Sequence, residues 1–254
     1  MKNFFGIMVL LFGLGLVEIY SHDLYLIADE YYPESGKKIN VKVAFGHNFP
    51  YYDIFVSSDD LTEFSFIGPD GQKKEITNTF KDIDEEKKEA LGGEVFLNQK
   101  GTYLISASRI RKGEMKKVPS EKYAKAIIVA EKETQNFKQP LGHRIEIIPL
   151  KNPSNIKRGD YFPVKVLFEG KPLSTFVYAT YAGFHSEKEP FPVCTKSNEK
   201  GVAYIKISQP GKWLVVCSHK VNFSATLTFE IKWEAPDYTE MLVQNFNFVL
   251  LNIG

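Results

Sequence analysis

Five histidines are spread over 254 residues, at His22, His47, His143, His185 and His219, and with so few their placement is what carries information. Neutral imidazole suits borderline metals such as Ni(II), Co(II), Cu(II) and Zn(II), whereas Ca(II) and Mg(II) favour carboxylates and carbonyls. His22 has the most to offer, because a histidine at a free amino terminus binds through its α-amine and its ring together, a chelate that no internal histidine can make. His47 follows Gly46 and precedes Asn48-Phe49-Pro50, so it sits at a strand end in a loop shaped by Gly and Pro. His143 follows Gly142 at a predicted domain junction. His219 lies two residues after Cys217, on the same face of a predicted strand. His185, next to Phe184 and Ser186, reads as a loop residue without an assigned role. Asp23 and Asp53 are expected behind the ligands, as acceptors that fix ring orientation. No two histidines have the close spacing of a strong metal motif. An isolated imidazole at a strand end more often serves as an amphipathic edge residue than as a ligand.

Whether His22 becomes a terminus depends on what precedes it. Residues 1–21 read as a secretory signal, with Lys2 in a short positive region, an apolar stretch from Phe4 to Val17, and Ser21 as the small residue before the cut. The apolar stretch falls short of the roughly 20 residues that span a bilayer. Cleavage after Ser21 exposes His22, and cleavage one or two residues away removes the chelate. The mature chain is therefore expected in the periplasm or outside the cell, with no transmembrane span. Removing Lys2 and Glu18 together leaves the formal charge at +1, which gives no bulk attraction to nucleic acid or to an anionic membrane. In an oxidising compartment Cys194 and Cys217 are expected to form one disulfide, with two free thiols or a sulfur ligand as the alternatives.

The elements that must position these residues are strands. Lys38 to Phe45 alternates polar and apolar residues, the period of a half-buried strand. Phe64 to Ile67, the turn Gly68-Pro69-Asp70-Gly71 and Lys73 to Ile76 form a hairpin pattern. Tyr161 to Phe168, Phe176 to Tyr181, Val202 to Ile207, Lys212 to His219 and Thr226 to Trp233 continue the pattern. Only Asp82 to Leu91 and Ser120 to Ala126 invite helix. Short strands at regular spacing predict an all-β protein of two β-sandwich domains in tandem, 22–138 and 139–235, followed by a tail at 236–254. The apolar part of that tail, Val243 to Ile253, has about half the length of a membrane span and is read as a docking segment.

Several motifs also carry a resemblance. His22-Asp23-Leu24-Tyr25-Leu26, Gly46-His47-Asn48-Phe49-Pro50 with Asp53, Tyr123-Ala124-Lys125-Ala126 and the run from Gly142 to Pro153 are similar to successive motifs of one bacterial family. It is a domain-of-unknown-function family often described as the periplasmic component of nickel or cobalt uptake. Phe168-Glu169-Gly170-Lys171-Pro172-Leu173, Tyr181-Ala182-Gly183-Phe184 and Gly211-Lys212-Trp213-Leu214 fit it too, and more loosely resemble a carboxypeptidase-regulatory-like or immunoglobulin-like sandwich. The resemblance implies an exported β protein that binds a transition-metal ion, Ni(II) or Co(II) ahead of Cu(II) or Zn(II), and serves a membrane metal permease. Carried over residue by residue, it points to His22, His47, His143 and His219 as ligands.

Three functions compete at this level. The first is metal binding without turnover. A copper oxidase built on a terminal histidine would use the same residues. An adhesive or scaffolding module of the cell envelope needs no histidine at all, since fold does not dictate function. Hydrolytic chemistry has little support, because the chain carries neither a nucleophile elbow nor a compelling carboxylate pair.

Overall fold

Ser120–Ala130, part of which invites helix by composition, is instead an eleven-residue strand at the centre of the protein. Both of its faces are buried. Ala124, Ala126, Ile128 and Ala130 enter one core, and Tyr123, Ile127 and Val129 enter another. A period of two with apolar residues on both faces is what a strand between two packed layers requires, and that burial overrides the helical preference of its Glu, Lys and Ala residues.

The structure is a computed structural model that describes residues 22–113, 119–132, 134–186, 189–220 and 222–233. The expected signal segment and the 236–254 tail lie outside the described residues. Strands in the first half are β1 (Asp23–Ala28), β2 (Lys38–Gly46), β3 (Glu63–Ile67), β4 (Lys73–Glu75), β5 (Thr79–Ile83), β6 (Glu89–Phe96), β7 (Gly101–Arg111) and β8 (Ser120–Ala130). The second half supplies β9 (Ile145–Pro149), β10 (Tyr161–Phe168), β11 (Lys171–Pro172), β12 (Phe176–Tyr181), β13 (Val193–Lys196), β14 (Val202–Lys206), β15 (Gly211–His219) and β16 (Phe223–Ile231). Asp82 to Leu91, the other helix-inviting stretch, is divided between β5 and β6, which pair as a hairpin.

The fold is an all-β sandwich. Its central sheet has eight strands in the order β13-β12-β15-β16-β8-β7-β3-β4, so strands from both halves share one sheet. The join is the parallel pairing of β16 with β8. The four-stranded sheet β1-β2-β6-β5 packs on one face over the core that holds Leu24, Val41, Val95 and Ile105. Strands β9, β10, β11 and β14 pack on the other face, over Ile147, Phe162, Trp213 and Leu227. The two cores thus lie on opposite faces of one continuous sheet.

A fully buried ion pair fastens the second small sheet to the centre. Lys125 Nζ donates to Glu146 Oε1 at 2.5 Å and to the Ile147 carbonyl at 3.2 Å, and Glu146 also accepts the Leu141 amide at 2.8 Å. The expected disulfide does not form, and Cys194 and Cys217 are both free. Cys194 sits opposite Tyr178, and Cys217 opposite Val177, so β12 runs between them. Two strand spacings are about 9–10 Å, beyond the roughly 4.4–6.8 Å between Cα atoms that a disulfide spans.

Candidate metal centre

His22 reaches His47 through strand register. The antiparallel pairing of β1 with β2 sets Asp23 opposite Gly46 and Leu24 opposite Phe45, and one further step brings His22 opposite His47. Directly opposed side chains share a face, and their Cβ atoms lie about 5 Å apart. The ring centroids of His22 and His47 are 3.8 Å apart, and the His22 ring also stacks on Phe45 at 5.3 Å.

A tight loop brings in the third group. After His47 the chain turns at Asn48, whose carbonyl accepts the Tyr51 amide, and returns so that the amides of Asp53 and Ile54 both donate to the Phe45 carbonyl. The Tyr25 hydroxyl holds the Tyr51 carbonyl from β1. Gly46 permits this return, because a Cβ there would lie 3.0 Å from Asp53 Oδ2 and 3.2 Å from the Tyr52 Cα. Asp53 Oδ2 accepts the His47 amide at 3.0 Å and lies 3.4 Å from His47 Nδ1. One candidate ligand atom from each of His22, His47 and Asp53 then falls within 4.8 Å of the other two, a grouping of three that stands alone among the described residues.

The electrostatics suit a donor site. Burial, followed by the neighbouring His47 ring, holds His22 below its ordinary value of 6.5 against the pull of the Asp53 carboxylate. A ring kept neutral has its lone pair free for a metal. Burial raises Asp23 to about 6, with Lys122 and His47 opposing the shift. Two nitrogens and a carboxylate oxygen form a set that suits a borderline divalent ion better than Ca(II) or Mg(II).

Asp53, expected behind the ligands, therefore stands among the candidate donors. His143 and His219 stand elsewhere. His143 Nε2 is 3.0 Å from Ser106 Oγ, its ring stacks on Tyr123 at 4.7 Å, and Glu63 Oε2 is 3.7 Å away. The His219 ring packs on Phe168 at 4.4 Å. Strand alternation is the reason. Tyr123 and Cys217 face the second core, so His143 and His219 lie on the opposite face of the central sheet from Phe45. His185 lies with Asn48, Phe49 and Tyr51 around a small recess beside the His47 loop.

The sequence reading also missed two cations. Arg109 and Lys122 project from the central sheet toward Phe45, with Arg109 Cζ 4.8 Å and Lys122 Nζ 5.9 Å from its ring centroid. Their own sequence carries no signal for this, since charged residues near the ends of β7 and β8 read as solvated.

Among the described residues no helix is long and apolar enough to cross a membrane. No curated protein matches the chain. Among solved structures, the D0-D1 domain of Intimin is 17% identical with a TM-score of 0.26, covering 83% of this chain and 98% of that one. The Yersinia pseudotuberculosis adhesin InvE is 9% identical with a TM-score of 0.26, covering 84% of this chain and 59% of that one. Murine CEACAM1b is 11% identical with a TM-score of 0.22, covering 84% and 99%. Overlap this slight carries no inference about what the chain does. The family described as a domain of unknown function, DUF4198, matches residues 19–221, most of the length, and the chain belongs to that family.

Proposed function

We propose that the protein is exported and binds one divalent transition-metal ion through His22, His47 and Asp53, without turnover. The observation that carries this reading is the convergence of two imidazoles and a carboxylate within 4.8 Å. Removal of the leader after Ser21 adds the α-amine of His22 as a fourth donor. Ni(II) or Co(II) is the proposed cargo, handed to a membrane metal permease. The same donors take Cu(II) more tightly, because affinity rises toward copper along the divalent series. Selection of nickel or cobalt therefore rests on supply in the compartment.

Titration calorimetry of the chain beginning at His22 tests the reading. Uptake of about one ion per chain is expected for Ni(II) and Co(II). If none of Ni(II), Co(II), Cu(II) and Zn(II) binds, the reading fails.

A further inference from the structure

The second small sheet turns an unusual set of side chains outward. Phe162, Val164 and Val166 of β10 and Ala203 and Ile205 of β14 face the second core, so by alternation Tyr161, Pro163 and Lys165 share the opposite face with Val202, Tyr204 and Lys206. The antiparallel ladder sets Tyr161 opposite Lys206, Pro163 opposite Tyr204 and Lys165 opposite Val202. Tyr161 and Tyr204 are therefore diagonal neighbours, about 7–8 Å apart on the sheet, and both border the buried Pro163. They are 57% and 55% exposed. One exposed tyrosine calls for no explanation, but two on adjacent rows of a rigid sheet make a continuous amphipathic strip.

Charge on this face has one sign. Its two charged residues, Lys165 and Lys206, form no salt bridge with the described residues. Lys206 Nζ lies 4.6 Å from the Tyr161 ring centroid and donates to the Gly159 carbonyl, a neutral acceptor that leaves the positive charge in place. Glu146 on β9, the acid that the ladder brings to this side opposite Leu167, is buried and held by Lys125. The chain as a whole is only +1, so the imbalance belongs to the face and not to bulk charge.

We propose that this face binds an acidic polysaccharide, a polymer of uronic acids, with sugar rings stacked on Tyr161 and Tyr204 and carboxylates paired with Lys165 and Lys206. A uronate offers both things the face asks for, an apolar C–H surface for the tyrosine rings and an anion for the lysines. A lipid surface fits less well, because membrane attachment needs apolar side chains that enter the acyl boundary, and the aliphatic residues here, Leu167 and Val202, are half-buried. Nucleic acid fits less well too, since two lysines supply few of the phosphate contacts that dominate such binding. The proposal needs no metal and stands apart from the His22 site.

Titration calorimetry of the chain beginning at His22 tests it with hexasaccharides of galacturonate and of mannuronate. Saturable binding of at least one is expected, weakening as salt rises, with a neutral cello-hexasaccharide bound about tenfold less tightly or not at all. Tyr161→Ala and Tyr204→Ala should each lower affinity about 3–10-fold, and Tyr204→Phe should keep most of it. Lys165→Gln should weaken binding about threefold and reduce its salt dependence. Binding of neither uronate, equal binding of the neutral sugar, or affinity unchanged by all of these substitutions overturns the proposal. Capture of phosphatidylglycerol vesicles or of a thymidine oligonucleotide in place of the uronates also overturns it and reassigns the face. Should the alanine variants fail to fold, Lys165→Glu on the same face decides, because unchanged affinity there sinks the pairing.

Discussion

His22 and His47 face each other across the β1–β2 pair with ring centroids 3.8 Å apart, and Asp53 completes the group only because the chain doubles back at Gly46. The site is therefore built from one strand register and one loop.

Gly46→Ala tests the loop. The new Cβ meets the Asp53 carboxylate and backbone and the Tyr52 Cα at 3.0–3.2 Å, and backbone gives way less easily than a flexible side chain. We expect a stability loss of about 1–3 kcal/mol and Ni(II) affinity lower by about tenfold or more. Unchanged affinity in calorimetry would show that Asp53 takes no part in binding.

The terminal chelate is tested by a chain that carries one extra residue before His22. The extra residue leaves the imidazoles in place and converts the amine to an amide. Metal affinity should fall by about 10–100-fold with stability unchanged. Equal affinities would assign binding to side chains alone.

Glu63 gives a pH prediction. Burial alone would raise its carboxyl, but the nearby His143 ring, the hydrogen bond from Ser65 and the Lys73 ammonium outweigh burial and hold it well below its ordinary 4.5. A depressed folded value contributes stability above pH 4.5 that is lost as pH falls below it. Glu63→Gln should therefore cost about 2 kcal/mol at neutral pH and flatten the acid loss. Denaturant melts of both proteins across that range would check it, and parallel curves would refute it.

The Lys125–Glu146 pair should behave as a buried unit. Glu146→Gln leaves the ammonium uncompensated and is expected to cost about 3–5 kcal/mol. Lys125→Met combined with Glu146→Leu should recover most of that loss. Chemical denaturation of the three variants would distinguish a coupled pair from two independent contacts.

The thiols predict their own chemistry. Cys194 is exposed, and burial pushes the Cys217 thiol far above its usual range. A maleimide should label Cys194 in the native protein and Cys217 only after unfolding. Reductant should leave the melting temperature unchanged, and a downward shift would reveal a bridge.

Much of the β pattern was legible in the chain. Lys38 to Phe45 and Tyr161 to Phe168 alternate with a period of two and form strands as expected, because that period is a local property of the pleat. Ser120 to Ala126 misled for the opposite reason, since its composition favours helix and only burial between two layers makes it a strand. The sequence marked His22 and His47 as candidates through residue type and position. Tertiary structure alone decided that they meet, that Asp53 joins them, and that His143 and His219 lie across the central sheet. Register, loop return and face depend on contacts between residues distant in the chain, which no local pattern encodes. The same long-range order keeps β12 between Cys194 and Cys217 and sets Arg109 against Lys122 near the Phe45 ring on which His22 stacks.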